Sequence, residues 1–198
     1  MPFLRDSVGF ILRNLFEATV VSLAWLVLQL PILTGPGATA ALYHFARQAV
    51  LQDEARLSDF WRGIKLYLFR GWLIVAPFLL VLIVLGYDIL FFLSGDRPLA
   101  KVWASVPIAV LSTLLITQSY VLPLYVRGDG GVLATIRKAY LLAMSNLLFT
   151  MTLLMLTLLY LLGLYVTRIG LVMLFVGPVA LLQTKAVHLL LTRKGIEF

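Results

Sequence analysis

WLIVAPFLLVLIVLGYDILFFL, running from Trp72 to Leu93, decides which solvent this chain folds in. The hydrocarbon core of a bilayer is about 30 Å thick, and a helix needs roughly 20 consecutive apolar residues to cross it. This run has that length, and Asp88 is its only charged residue. Inside lipid the backbone must satisfy its own hydrogen bonds, which makes the run a helix. Four further runs have the same character: Leu15–Leu33, Val102–Val126, Ala143–Thr167 and Ile169–Leu191. The expected fold is therefore all-α. It is a polytopic membrane protein of about five transmembrane helices, with short amphipathic helices at the interface. What lies outside these runs is too short for a soluble domain, so residues 1–198 are expected to form a single transmembrane domain.

The composition agrees. Hydrophobic residues make up 62% of the chain and charged residues 13%, about half of what a soluble domain uses to cover its surface. The net charge is +7, but the basic side chains flank the apolar runs, where anionic headgroups attract them. The lipid bilayer, and no nucleic acid, is the partner this implies. There is no cysteine, which excludes disulfides, thiolate metal sites and a cysteine nucleophile. Arg5, Asp6 and Arg13 precede an apolar run longer than a signal peptide's, so the start of the chain is not expected to be cleaved.

Lys and Arg in short loops mark the cytoplasmic side. With five spans, Arg5, Arg13, Arg97, Lys101 and Arg168 fall on one side. The larger group, which includes Arg47, Arg56, Arg62, Lys65, Arg70, Arg127, Arg137, Lys138 and Arg193, falls on the other. The N-terminus is then outside and the C-terminus inside. Arg5 and Arg13 keep an alternative open: residues 1–14 lie on the inner surface, the first run is re-entrant, and the N-terminus is inside.

Between the runs, Gly35-Pro36-Gly37 interrupts regular helix. Ala38, Leu42, Phe45, Ala46 and Ala49 then share one helical face, with His44, Arg47 and Gln48 opposite. This predicts an amphipathic surface helix over residues 38–52. Ser58 is the expected N-cap of a second such helix, 58–70. Its stripe is Phe60, Trp61, Ile64, Tyr67 and Leu68, with Asp59, Arg62 and Arg70 pointing away. A third entry follows Asp129-Gly130-Gly131, with Asp129 as a candidate cap before Arg137, Lys138 and Tyr140. Ile64-Lys65-Leu66-Tyr67-Leu68 resembles Arg137-Lys138-Ala139-Tyr140-Leu141, and the return spans share Pro107 and Pro178. One reading is a parallel repeat of helical hairpins. The other is that apolar helices with basic entries look alike by composition.

Intramembrane polar groups are the natural functional candidates, because lipid penalises them. Gln118, Asn146, Gln183, Lys185 and His188 form the expected polar cluster. Facing inward, it would bind an anionic or hydroxyl-rich ligand; alternatively, these groups bond between helices while Lys185 snorkels to the surface. Glu17 and Asp88 are shallower acids: a pore or substrate vestibule could use them, or alternatively they pair with nearby bases or reach headgroup water. The only histidines, His44 and His188, sit on separate elements, and no metalloprotease, phosphate-loop or nucleophile-elbow pattern occurs. No catalytic residue, metal or cofactor is expected, and the chain is not expected to be an enzyme. A surface for a protein partner is expected on the cytoplasmic side. Arg62, Lys65, Arg127, Arg137 and Lys138 would supply its polar contacts, and Phe60 and Trp61 its apolar anchors.

Three segments, in order, carry a resemblance to a known family. They are Leu30-Pro31-Ile32-Leu33-Thr34-Gly35-Pro36-Gly37-Ala38-Thr39-Ala40-Ala41-Leu42-Tyr43; Phe60-Trp61-Arg62-Gly63-Ile64-Lys65; and Tyr120-Val121-Leu122-Pro123-Leu124-Tyr125-Val126-Arg127-Gly128-Asp129, followed by Arg137-Lys138-Ala139 and Asn146. In these the chain resembles the YesL-like family of bacterial membrane proteins, defined by a domain of unknown function. It departs from that family at Gly128, where an aromatic usually precedes the aspartate. The resemblance implies a multi-pass protein of the bacterial cell (inner) membrane. Such proteins are commonly encoded beside carbohydrate ABC importers, which implies an accessory role with sugar-importer subunits as partners. The chain has no ATP-binding motif and no Glu-Ala-Ala coupling loop, so it is not expected to be the permease itself. The alternative function is a small transporter or channel acting alone or as a homo-oligomer.

Overall fold

The computed structural model describes residues 9–31, 33–54, 56–94, 98–128, 130–167, 176–193 and 195. It is all-helical, with no strand among the described residues. The helices are α1 (Leu15–Gln29), α2 (Gly35–Gln52), α3 (Leu57–Tyr67), α4 (Trp72–Ser94), α5 (Pro98–Trp103), α6 (Ser105–Arg127), α7 (Val132–Ser145), α8 (Leu147–Thr167) and α9 (Val176–Arg193).

Among the described residues, two continuous stretches are long and apolar enough to cross a membrane, Trp72–Ser94 and Lys101–Arg127. A third candidate is the pair Val132–Ser145 and Leu147–Leu159, bent by 100° at its break. The remaining expected runs take other forms. The first is cut short, because α1 ends at Gln29 and the chain turns before α2, where the Thr34 hydroxyl donates to Pro31 O at 2.9 Å and also to Leu28 O. The fourth breaks at Asn146. Its side-chain amide donates to Leu142 O at 3.1 Å and to Ser145 Oγ at 2.9 Å, holding the end of α7 while α8 leaves in a new direction. The start of the fifth, residues 169–175, lies outside the described residues, as do Arg5, Arg97, Asp129 and Arg168.

The second helix corrects the sequence-based expectation most sharply. Gly35-Pro36-Gly37 is not a linker but the first turn of α2, with Pro near its N-terminus, where the missing N–H costs nothing. Nor does α2 lie on a surface. It touches α1, α3, α4, α6 and α9, and His44, expected on its polar outer face, is buried at 7% exposure. The physical reason is side-chain size. Gly35, Gly37, Ala38, Ala40, Ala41, Ala46 and Ala49 are all buried, and small residues on every side let neighbouring backbones approach closely. An ideal Cβ on Gly63 of α3 would lie 3.0 Å from Ala41 Cα, and one on Gly37 would lie 2.5 Å from Leu68 Cα.

Among the described residues, two apolar clusters make the interior. One joins Phe10, Val21, Leu42, Phe45, Phe60 and Leu181; the other joins Ile74, Tyr120, Leu124, Leu142 and Leu153 with Val187 and Leu190. Helix α9 enters both and ties them together. Its start is fixed where Gly177 N donates to the buried Ser22 Oγ at 2.9 Å. By contrast, Ile74 is the one residue of α4 that is buried. An apolar helix exposed nearly all round is stable in hydrocarbon and not in water.

Candidate functional site

A cavity of about 550 Å³ opens where α1, α2, α4, α6, α8 and α9 converge. Gln29, Thr39, Tyr43, Gln118, Thr157 and Gln183 supply its polar lining, and Trp72, Ile74, Val75, Phe78 and Leu79 form an apolar wall from α4. Among the described residues, no Asp, Glu, Lys, Arg or His lines it. The Tyr43 hydroxyl donates to Gln183 Oε1, joining α2 to α9. Thr39 Oγ1 accepts from Trp25 Nε1 at 3.1 Å and from Gln29 Nε2 at 3.2 Å, and donates to Gly35 O at 2.9 Å. Burial pushes the Tyr43 phenol well above its ordinary pKa, so it remains a neutral hydroxyl.

The expected intramembrane cluster is thus split. Gln118 and Gln183 meet at the cavity. Asn146 instead holds the α7–α8 bend. Lys185 Nζ lies 4.5 Å above the Phe10 ring, a cation–π contact away from the cavity. His188 remains near Lys185 on α9. Neither Glu17 nor Asp88 lines the cavity. Gln29, Thr39, Tyr43, Trp72 and Thr157 were not anticipated. A lone glutamine near the end of an apolar run, at Gln29, was the signal available for them.

The expected partner surface is also revised. Phe60 is 0% exposed, so it anchors α3 on α2 and is not available to a partner. Trp61 is 49% exposed, and Arg62 and Lys65 are exposed beside it. Ser58 is not the N-cap of α3; Arg56 is. Arg127 is half-buried at the end of α6. That end is tied to α3 by Tyr67 Oη donating to Val126 O at 3.2 Å, and to the turn after α3 by Tyr125 Oη donating to Arg70 O at 2.8 Å. Arg137 and Lys138 are on α7, both exposed, and α7 packs on α6. Gly128 closes α6 at φ 86°, a left-handed cap that an aromatic would adopt only with strain.

Asp59, expected to point outward, is buried at 4% exposure, with Oδ1 3.5 Å from Arg62 Nη1. It faces the same α2–α3 seam as His44, whose ring lies 5.8 Å from that of Tyr67. Neither imidazole nitrogen has a hydrogen-bond partner among the described residues, and nor does Asp59 Oδ2. Burial lowers the pKa of His44; Asp59 opposes the shift, and Arg47 and Arg62 reinforce it. Among the described residues no three of His, Asp and Glu cluster closely enough to hold a metal ion.

Residues 18–89 match a family model described as "Protein of unknown function, DUF624". The match runs from α1 into α4. It therefore includes the α1–α2 hairpin, the α2–α3 seam and several of the cavity's lining residues, among them Gln29, Thr39, Tyr43 and Trp72. No curated protein and no solved structure matches the chain.

Proposed function

We propose that this chain is a non-enzymatic accessory protein of the bacterial inner membrane that docks a partner through the outer face of α3, and that the partner is a carbohydrate ABC importer. The observation that supports docking is the division of labour on α3. Phe60, Gly63 and Ile64 seat it on α2, while Trp61, Arg62, Lys65 and Leu66 are displayed on a helix that cannot easily shift. Rigid aromatic and basic groups are the ones that dominate interfaces. The likeness to YesL-like proteins supports the choice of importer.

In this reading the basic side is cytoplasmic. Arg13 Nη2 lies 3.5 Å from Asp53 Oδ2, so the α1–α2 hairpin begins and ends at one level. That supports the arrangement in which the first run is re-entrant and both termini are inside. Arg62→Glu with Lys65→Glu tests the docking surface. The double variant inserts normally but no longer brings importer subunits through a mild-detergent pull-down from the native host. An undiminished complex excludes α3 as the contact. A second reading, a small transporter acting alone, is favoured by the cavity; it requires solute flux in liposomes that hold only this protein.

A further inference from the structure

We infer that the cavity between α2, α4 and α9 is a binding site for an uncharged group bearing several hydroxyls, either a free polyol or the headgroup of a neutral lipid. The cavity's size falls within the usual range for small-molecule sites, roughly 300–1,000 Å³, at about 550 Å³. Its hydrogen-bonding capacity is only partly used. The Tyr43 hydroxyl is spent as a donor on Gln183 Oε1, leaving its lone pairs and the Gln183 amide N–H groups free. Gln118 is exposed to the cavity with no partner among the described residues. Gln29 donates through Nε2 and retains Oε1 as an acceptor. The lining therefore offers both unused donors and unused acceptors.

A hydroxyl donates and accepts at once, so several hydroxyls on one ligand satisfy such a wall, while a purely apolar ligand leaves it unpaired. Net charge is excluded by the same lining. With no ion of either sign lining it among the described residues, a carboxylate, phosphate or ammonium would lose hydration without compensation. The opposite wall, Trp72 and Phe78 with the aliphatic residues of α4, suits the C–H face of a ring or the start of an acyl chain. Such a site is compatible with a protein that docks an importer and with one that works alone.

The test uses the full-length protein in phosphatidylcholine nanodiscs. Trp61→Phe and Trp103→Phe leave Trp72, on the cavity wall, and Trp25, bonded to Thr39, as fluorescent reporters. One arm titrates methyl glucoside from solution; the other raises the mole fraction of a monoglucosyl diacylglycerol in the disc. A saturable fluorescence change is expected in one arm, and that arm identifies the source of the hydroxyls. Glucose 6-phosphate should give none. Gln183→Leu should weaken binding about tenfold, the value of one buried hydrogen bond. Gln118→Leu, at an exposed position that folding does not need, should do the same. The assignment is overturned if neither arm saturates, if the phosphate binds as well as the glucoside, or if Gln118→Leu binds like the parent.

Discussion

Replacing Gly71 with Ala should destabilise the protein by about 3 kcal/mol, although it adds a single methyl group. The structure gives the reason. A Cβ at Gly71 would lie 2.5 Å from Pro36 O, 2.6 Å from Pro36 C and 2.8 Å from Gly37 N. Carbon and oxygen need about 3.2–3.4 Å, so the overlap approaches 1 Å and involves backbone on both sides. No side-chain rotamer can relieve it. Overpacking costs about 1–3 kcal/mol, and this site belongs at the upper end. Gly71 lies in the turn just before α4, so Ala gains no helix propensity there to offset the clash. Gly86→Ala is the control: that Cβ would meet nothing within 4 Å, so only the propensity gain remains. Gly37→Ala strikes the same seam at Leu68 and should cost a similar amount. The double variant should cost less than the sum, because one separation of α2 from the α3–α4 turn relieves both clashes. Thermal unfolding in one detergent, followed by far-ultraviolet circular dichroism, orders the variants. If Gly71→Ala melts no lower than Gly86→Ala, the backbone contact described here is wrong.

Two further outcomes are expected. Phe60→Ala should lower stability by about 3–5 kcal/mol, whereas Trp61→Ala should change it by less than about 1 kcal/mol; the same melts would contradict the assignment of inner and outer faces if the order were reversed. Because the native pKa of His44 is lowered, the unfolded chain takes up the proton first. Stability is then full above about pH 6.5 and falls as pH drops from there toward the native value. His44→Phe should flatten that dependence relative to wild type, and an unchanged slope would remove His44 as its cause.

The class of fold was legible because lipid imposes a simple rule, and Trp72–Leu93 obeys it without reference to any neighbour. Helix α3 was legible in part, since Phe60, Ile64 and Tyr67 mark an inward stripe and Arg62 and Lys65 an outward one. The role of α2 was hidden. His44, Arg47 and Gln48 among alanines look like the wet side of a surface helix. Whether α3 covers that side depends on Gly63 meeting Ala41, a contact between residues on different helices. Asp59 was misread for the same reason. The cavity was half legible. Gln118 and Gln183 declared themselves as polar groups in apolar runs, but Tyr43 and Thr39 belonged to a helix assigned to the surface. Asn146 shows the opposite error: an intramembrane amide that suggested a ligand site serves a bend.

The α2–α3 seam also bears on how the two proposed surfaces relate. Tyr43 faces the cavity, and the next residue, His44, faces Tyr67 of α3. Trp72 lines the cavity, directly follows Gly71, and donates through Nε1 to Leu33 O at 2.8 Å. The outer face of α3 and two elements of the cavity wall are therefore joined through backbone contacts that leave no slack. A rigid connection does not by itself make one site sense the other; that requires two arrangements with different affinities. If docking on α3 selects between such arrangements, linkage fixes the consequence. The factor by which partner binding changes affinity for a hydroxylated ligand must equal the factor by which that ligand changes affinity for the partner. Measuring the pull-down with and without saturating ligand, and ligand affinity with and without partner, therefore gives two values of one number. Unequal values mean that the two measurements do not report on the same site.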